Sequence, residues 1–318
     1  MSAAVGLGGR DLPCGKMRDL PGRLRLESSG MEGMLVPAPV ADMPAPSPAR
    51  VYNYWLGGTD HLAADRTAAG RIARAVPQLP WLARENSRFL SRSVRYCATA
   101  GITQFLDIGS GRPVTESVHQ AAGQVTADPH VVYADKDPVA VGQARALLSA
   151  PHTAVICADL ADPDDLLGDP EVRRLIDFRE PVAVVLSSLL HLIPDAAGPA
   201  RMVARLRDAM APGSYLVISH FEISRSHQAG TQPLTPAARE LSAALEGIPV
   251  TARTREEIAG FLGDLTLVEP GLVDVWAWRP DAGPLVSMSD VLAGVRIGWN
   301  VVTSLGCVGR KDRPQDRS

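Results

Sequence analysis

The sequence predicts a doubly wound α/β fold, with a mostly parallel sheet that is preceded by a helical segment. Two observations support this prediction. Short apolar runs alternate with amphipathic stretches from residue 101 onward, and most of these runs are apolar at both odd and even positions. Strands with that pattern are typical of a parallel sheet that helices cover on both faces. Repeated strand–helix alternation also favours right-handed crossovers between neighbouring strands.

The chain divides into four predicted segments. Residues 1–45 are rich in Gly, Pro, Ala and Ser without sustained periodicity, so they are predicted to be a disordered leader. Residues 46–98 have a helical pattern with few strand signals and are predicted to form an N-terminal helical cap. Residues 99–312 are predicted to form the α/β domain, and residues 313–318 a tail.

Two prolines, Pro77 and Pro80, are predicted to break the cap into two helical pieces. The second piece, 81–96, carries arginines at helical spacing along a single face: Arg84, Arg88, Arg92 and Arg95. We favour the interpretation that this face is solvated. The alternative is that it forms the wall of a pocket for an anionic substrate or a docking face for an acidic partner.

Within the α/β domain, apolar runs predict the strands and amphipathic stretches predict the helices. The strand candidates are 103–108, 130–134, 154–158, 181–186, 214–219, 273–278 and 301–308. The helix candidates are 115–126, 139–148, 197–210 and 255–262, with a polar loop and a further helix between 225 and 246.

The composition excludes some functional classes. Thirty-two Lys and Arg against 35 Asp and Glu give a formal net charge of −3, which argues against a nucleic-acid binder driven by bulk charge. No apolar stretch approaches bilayer-spanning length, and the N-terminus lacks the pattern of a secretory signal. The cysteines form no C-x-x-C pair, so we expect no metal site and a cytoplasmic location.

The candidate site lies where the first three strands of the sheet end. The first strand runs into Asp107-Ile-Gly-Ser-Gly111, in which Gly109 and Gly111 permit a tight turn and the close approach of a ligand. Asp135 ends the second strand, where a carboxylate can accept hydrogen bonds from both ribose hydroxyls. Asp159 and Leu160 end the third strand and are placed to contact an adenine ring. Together these residues predict an adenosine site.

The glycine loop differs from that of a dinucleotide-binding fold. Such a fold prefers a third glycine at position 114, where this chain has Val114 after Pro113. The absence of that glycine argues against a pyrophosphate on the helix N-terminus, and therefore against an NAD-dependent oxidoreductase.

Several motifs carry a resemblance to known proteins. Three of them resemble the motifs of class I S-adenosylmethionine (SAM) methyltransferases: Phe105-Leu-Asp-Ile-Gly-Ser-Gly-Arg-Pro113, Val132-Tyr-Ala-Asp-Lys-Asp-Pro138 and Ala211-Pro-Gly-Ser-Tyr-Leu-Val-Ile-Ser219. More specifically, the N-terminal block is similar to a bacterial, actinomycete-type family of SAM-dependent methyltransferases that was formerly of unknown function. That block comprises Ala49-Arg-Val-Tyr-Asn-Tyr-Trp-Leu-Gly-Gly58 and Ala83-Arg-Glu-Asn86. The likeness spans roughly residues 48–312.

The resemblance implies a fold, a cofactor and site residues. The implied fold is a class I Rossmann-like, doubly wound, seven-stranded sheet whose seventh strand is inserted antiparallel near the sheet edge. The implied cofactor is SAM, with its methionine part held by Asp107, Gly109 and Gly111, its ribose by Asp135 and its adenine by Asp159. The aromatic residues of the N-terminal block, Tyr54 among them, are either placed near the sulfonium or form the apolar side of a cap helix.

Two histidines are candidates for a general base. His191 follows the fourth strand and His220 ends the fifth, so both are expected at the catalytic edge of the sheet. A base is needed only when the acceptor arrives protonated, because a sulfonium methyl is already activated. The alternative for each histidine is a supporting role in the core or next to the methionine part of SAM.

The sequence therefore predicts a SAM-dependent methyltransferase that acts on a small molecule, with no nucleic-acid or membrane partner. The alternative is a non-catalytic regulator of the same fold that binds SAM or a nucleoside. A nucleic-acid methyltransferase is disfavoured, because the net charge is negative and no Asn/Asp-Pro-Pro-aromatic tetrapeptide is present. The identity of the acceptor and the oligomeric state have no readable signal in the sequence.

Overall fold

The computed structural model describes residues 45–111, 116–148, 150–223, 243, 250–251, 253–281 and 302–313. The predicted leader, the predicted loop and helix between 225 and 246, and the predicted tail lie almost wholly outside these ranges. None of the helices in the described ranges is long and apolar enough to cross a lipid bilayer.

The cap consists of three helices where the sequence predicted two pieces: α1 (Pro48–Trp55), α2 (Ala63–Ala75) and α3 (Leu79–Thr99). The additional break follows α1, where Gly57 has φ 82°. The N–H of Gly57 donates to the carbonyl of Tyr54, and that of Gly58 donates to the carbonyl of Asn53. This pair of bonds is a Schellman motif, which satisfies the last carbonyls of a helix and needs a left-handed residue, usually glycine.

The break at the two prolines is confirmed. Helix α2 ends before Pro77, and α3 begins at Leu79 with Pro80 inside its first turn. Proline is tolerated there because the first N–H groups of a helix have no partner within the helix.

The strands form one mixed sheet in the order β3-β2-β1-β4-β5-β8-β6, with β7 also paired to β8. The strands are β1 (Gln104–Ile108), β2 (His130–Asp135), β3 (Thr153–Cys157), β4 (Ala183–Ser187), β5 (Tyr215–Ile223), β6 (Thr266–Leu267), β7 (Val273–Asp274) and β8 (Val302–Arg310). The first five are parallel to one another. Strand order reverses at β1, between β2 and β4, and ligands bind at such a switch point in open α/β sheets.

In the described part of the chain, six further α-helices follow the cap: α4 (Val118–Gly123), α5 (Pro138–Leu147), α6 (Pro163–Gly168), α7 (Pro170–Leu175), α8 (Pro199–Ala209) and α9 (Arg255–Gly260). Two hydrophobic clusters cover the faces of the sheet, one including Leu106 and Val184, and the other including Phe105 and Val185. Alternate residues of one strand thus pack on opposite sides, as two-sided burial requires.

Strand β8 is the antiparallel strand that the resemblance implied. It pairs with β5 from Tyr215 opposite Arg310 to Ile223 opposite Val302, and it separates β5 from β6. Gly306 gives it room, because a Cβ at this position would lie 2.8 Å from the ring of Phe89 on α3.

The predicted strand 273–278 is wrong in length, since only Val273–Asp274 pairs with β8. The chain then turns, with the N–H of Ala277 donating to the carbonyl of Asp274, and buries Trp278 completely against Phe89. The second half of the apolar run that predicted a strand therefore forms a turn. The short strand β6 was not predicted.

The four cap arginines do not form one functional face. Arg92 is buried and donates to the carbonyl oxygens of Trp278 at 2.9 Å and Val275 at 2.6 Å, so it fixes the turn after β7 against α3. Arg95 pairs with Glu116, whereas Arg84 and Arg88 are exposed. The favoured interpretation, a solvated face, holds for only two of them, and none of the four lines the cavity described below.

A buried arginine fastens the cap to the sheet. Nε of Arg50 lies 2.9 Å from Oδ2 of Asp65 on α2, and Nη1 lies 3.0 Å from Oδ2 of Asp137. Asp137 is the N-cap of α5 and also accepts a 2.7 Å hydrogen bond from the hydroxyl of Ser47. The second oxygen of Asp65 accepts from the N–H of Ser47. We call these four residues the cap latch.

We predict that Asp65→Asn lowers the free energy of unfolding by about 3 kcal/mol, because it leaves the buried charge of Arg50 only partly compensated. Denaturant titration measures the change. The matched control is Asp164→Asn. It breaks the ion pair between Asp164 and Arg205, in which the Asp164 side chain is 71 % exposed. That change should cost less than about 1 kcal/mol. Equal costs for the two variants would contradict a structural role for the latch.

Candidate functional site

A cavity of about 530 Å³ lies at the carboxyl ends of the parallel strands. Its lining comes from α1, α3, the glycine loop after β1, the segments that follow β2, β3 and β4, and Phe221 within β5. The position is the one that topology favours, because side chains at the ends of all five parallel strands converge there.

The glycine loop has the backbone geometry that was expected. Gly109 and Gly111 have φ 72° and 57°, in the left-handed region that favours glycine. A Cβ on Gly109 would lie 2.7 Å from Leu189, so a larger residue would displace that side chain. The N–H groups of Gly109 and Ser110 both donate to the carbonyl of Ala134, which joins the loop to the end of β2.

Asp135 organises this edge of the sheet. One carboxylate oxygen accepts from the N–H of Gly111 at 2.7 Å, and the other accepts from the N–H of Asp137 at 2.8 Å. Each carboxylate oxygen retains a further lone pair for a ligand hydroxyl. Burial raises the pKa of Asp135, and the two N–H donors act in the opposite direction. Asp135 lines the cavity, as the sequence predicted.

Asp107 is a strongly perturbed acid of the cavity. It is 4 % exposed, and its burial, together with the nearby charge of Asp135, raises its pKa to about 7. A carboxylate that is costly to ionise alone gains stability when a cation binds next to it. Perturbed acids in a cleft are typical of functional sites.

Asp159 and Leu160 follow β3, the third of the strands whose ends carry the predicted acids. Both line the cavity; Leu160 is buried, whereas the side chain of Asp159 is 48 % exposed and lies 3.9 Å from Nζ of Lys136. The structure thus brings together the residues that the sequence singled out on the first three strands.

Tyr54 does not belong to the site. The residues of α1 that line the cavity are Pro48, Ala49, Val51, Tyr52 and Trp55, which lie on one side of the helix. Tyr54 lies off that face, is 40 % exposed, and contacts the ring of His61. Tyr54 therefore lies outside the cavity in which the sequence predicted it, whereas Tyr52 and Tyr133 line it.

The structure adds polar residues that the sequence analysis did not single out for the site. The side chain of Asn86 donates to the hydroxyls of Tyr52 and Ser187, but its Oδ1 is buried without a partner in the described part of the chain. The hydroxyl of Ser110 is also buried and unpartnered there. All of these residues line the cavity. Asn86 had a sequence signal, since it interrupts the apolar stripe Leu79, Leu82 and Phe89 of α3.

His191 lies on a short 3₁₀ turn, Leu190–Leu192, that follows β4. Arg253 holds this turn in place by donating to the carbonyls of Leu190 at 2.7 Å and Ile193 at 2.8 Å. The His191 ring lines the cavity, is 3 % exposed, and has an Nδ1 without a partner among the described residues. Burial, and then the neighbouring His220 and Arg253, lower its pKa well below the ordinary value, so the ring is uncharged at neutral pH.

His220 does not fit the predicted role of general base. Its ring is fully buried and is absent from the cavity lining. Nε2 lies 2.9 Å from Nη1 of Arg253, and Nδ1 lies 2.8 Å from the carbonyl of Phe221. Arginine can only donate, so the Nε2 lone pair is engaged and Nδ1 carries the proton. His220 is a positioning residue for Arg253.

The cavity suits SAM chemically. Carboxylates in its lining can accept hydrogen bonds from hydroxyl and amine groups, unpartnered hydroxyl and amide groups line the same cavity, and the glycine loop leaves room for close approach. The order of strands, the antiparallel β8 and this site define a SAM-dependent methyltransferase of class I fold.

Comparison with known proteins gives the family. Residues 37–299 match the family described as S-adenosyl methyltransferase, and the chain belongs to it. A candidate methyltransferase of Thermobifida fusca YX is 38 % identical, with a TM-score of 0.73 over 88 % of this chain and 100 % of that one. A DUF574 family protein of Streptomyces avermitilis MA-4680 is 34 % identical, with a TM-score of 0.71 over 84 % of this chain and 98 % of that one. No curated protein matches the chain.

We predict that Asp107→Asn stabilises the ligand-free protein more at pH 8 than at pH 5. The pKa of about 7 in the folded state lies above the ordinary value of 3.8, so the folded state binds the extra proton and the free energy of unfolding falls as pH rises between these values. The asparagine removes this cost, which at 1.36 kcal/mol per pKa unit is at most about 4 kcal/mol.

Urea unfolding at the two pH values measures the difference. The control is Asp159→Asn, a half-exposed acid of the same edge whose replacement should have a similar small effect at both pH values. An Asp107→Asn effect that is the same at pH 5 and pH 8 would contradict the assignment.

Proposed function

We propose that the cavity binds SAM and that the protein transfers the methyl group to a small-molecule acceptor. The observation that supports this most strongly is the convergence of Asp107, Asp135 and Asp159 with the glycine loop in one cavity. In this proposal Asp107 with Gly109 and Gly111 holds the methionine part, Asp135 holds the ribose, and Asp159 with Leu160 holds the adenine. We also propose that the protein acts in the cytoplasm without a nucleic-acid or membrane partner.

A small acceptor fits the way the cavity is enclosed. Helix α1 covers it from above through Val51, Tyr52 and Trp55, so the acceptor has to fit beneath a helix. Among the described residues that line the cavity, Lys136 is the one Lys or Arg. A nucleic-acid substrate would need several cations to pair with its phosphates.

SAM supplies an activated methyl group, whose transfer is an in-line displacement at carbon. The protein chiefly aligns the acceptor with that carbon and excludes water. Tyr52 and Asn86 link the roof of the cavity to its floor, because the Asn86 side chain donates to the hydroxyl of Tyr52 at 2.8 Å and to that of Ser187 at 3.0 Å. This link fixes α1 relative to β4 and maintains the enclosure.

His191 is the proposed general base. Its ring is kept uncharged by burial and lines the cavity beyond β4, so it can accept a proton from an acceptor hydroxyl or ammonium. The proposal needs no proton relay through His220, whose lone pair is engaged by Arg253.

The first prediction concerns the cofactor. SAM and S-adenosylhomocysteine should raise the melting temperature, whereas NAD should not. A ligand at about 100 times its Kd adds roughly 2.7 kcal/mol. Asp135→Asn should abolish most of the shift while one amide oxygen still accepts from the N–H of Gly111. Asp164→Asn, a change at an exposed carboxylate outside the described cavity lining, is the control. A shift with NAD, or none with S-adenosylhomocysteine, would refute the proposed site.

The second prediction concerns the base. His191→Gln should reduce methyl transfer by about 10²–10⁴-fold, because glutamine keeps a polar side chain but cannot take the proton. The measurement is transfer of labelled methyl from SAM into the small-molecule fraction of a bacterial cell extract. Between pH 8 and 6.5, protonation of His191 should not lower the wild-type rate of methyl transfer, since the pKa of His191 lies well below its ordinary value.

Unchanged affinity for S-adenosylhomocysteine in His191→Gln separates the proposed base from a residue that merely shapes the pocket. An unchanged rate would contradict the role of His191. Absence of transfer by the wild-type protein despite tight SAM binding would favour the non-catalytic regulator.

A further inference from the structure

The cavity has two ends of different chemistry, which follow the order of the strands. The first, the cofactor end, contains the acids and glycines at the tips of β1, β2 and β3. The second, which we call the acceptor end, is formed by α1, the turn after β4 and the end of β5. Its lining residues are Trp55, Leu56, His191, Leu192, Ile193 and Phe221.

The two ends lie side by side along the sheet edge. Strand β1 neighbours β4, and β4 neighbours β5, so the tip of β5 is two strands away from Asp107. With neighbouring strands about 4.8 Å apart, this separation is roughly 10 Å. A ligand that occupies the cofactor end over β1 to β3 therefore leaves the acceptor end for a second molecule.

The acceptor end is apolar and includes flat surfaces. Trp55 and Phe221 belong to one hydrophobic cluster, against which Leu56 and Leu192 pack. The rings of His191 and Phe221 lie 4.3 Å apart between centroids. Aromatic rings pair favourably at centroid separations of about 4.5–7 Å, and such a lining rewards burial of a planar apolar ligand.

Among its described residues, the acceptor end offers no counter-charge to an anion. The single lysine of the described lining, Lys136, belongs to the cofactor end and lies 3.9 Å from Asp159. Arg253 is near His191 but is already engaged: its guanidinium donates to two backbone carbonyls and to Asp195 at 2.8 Å. A carboxylate or phosphate buried here would lose its hydration without a partner.

Uncharged polar partners are available instead. Nε1 of Trp55 and Nδ1 of His191 are both buried without a hydrogen-bond partner among the described residues. The indole nitrogen donates, and an uncharged imidazole nitrogen can accept. A ligand with a neutral hydroxyl provides both an acceptor and a donor for these atoms.

From these observations we propose that the acceptor end binds an uncharged, planar aromatic molecule bearing a hydroxyl group, and discriminates against anionic analogues. This inference rests on the proposed function, since it assigns the chemical class of the methyl acceptor.

The test uses the full chain saturated with S-adenosylhomocysteine and two matched probes, 2-naphthol and 2-naphthoate. Isothermal titration should give a Kd for 2-naphthol at least about tenfold lower than for 2-naphthoate, a difference of about 1.4 kcal/mol. Leu192→Arg places a cation at the acceptor end on a partly exposed residue, and it should reduce this preference at least tenfold. Leu147→Arg, at a residue 51 % exposed outside the cavity, is the matched control and should leave the preference unchanged.

Each outcome has one meaning. Equal or tighter binding of 2-naphthoate to the wild-type protein, or no binding of 2-naphthol to protein that binds S-adenosylhomocysteine, overturns the inference and leaves the proposed function intact. Failure of S-adenosylhomocysteine itself to bind overturns the proposed function, and the inference with it. An identical change in Leu192→Arg and Leu147→Arg would show that the effect is long-range electrostatics rather than the acceptor end.

Discussion

The cavity exists because a buried arginine holds the cap over the sheet. Arg50 is placed between Asp65 on α2 and Asp137 at the start of α5, and both ion pairs are largely shielded from water. Asp137 also donates its backbone N–H to Asp135, which in turn holds the glycine loop through Gly111. Helix α1, which covers the cavity, and the edge of the sheet are thus joined by contacts that run from Arg50 to Asp137 and on to Asp135, so loss of one contact alters both.

Much of the fold was predictable, because burial on both faces leaves a clear trace in the sequence. All five parallel strands coincide with apolar runs, and the cap break at Pro77 and Pro80 follows from the backbone chemistry of proline. The two-residue strands β6 and β7 were harder to predict from the sequence. They pair with β8, whose position between β5 and β6 is a tertiary property that local periodicity does not encode.

The candidate site was predictable where strand ends determine it and not where side-chain partners do. Asp107, Asp135 and Asp159 follow directly from the rule that parallel strands end at one edge. The role of His220 was not predictable, because it depends on Arg253, which is 33 residues away along the chain and donates a hydrogen bond to Nε2 of His220. The position of Tyr54 outside the cavity was not predictable, because the rotation of α1 about its axis is set by packing rather than by composition.

The division of the sheet edge has an evolutionary consequence. The cofactor end is built on β1, β2 and β3, whereas the acceptor end draws on α1, on the segment after β4 and on the end of β5. After gene duplication, selection can therefore vary residues such as Leu56 and Leu192 while the carboxylates of the first three strands stay constant. Under the proposed function, related chains would then diverge in the molecules they methylate while keeping the same binding site for the methyl donor.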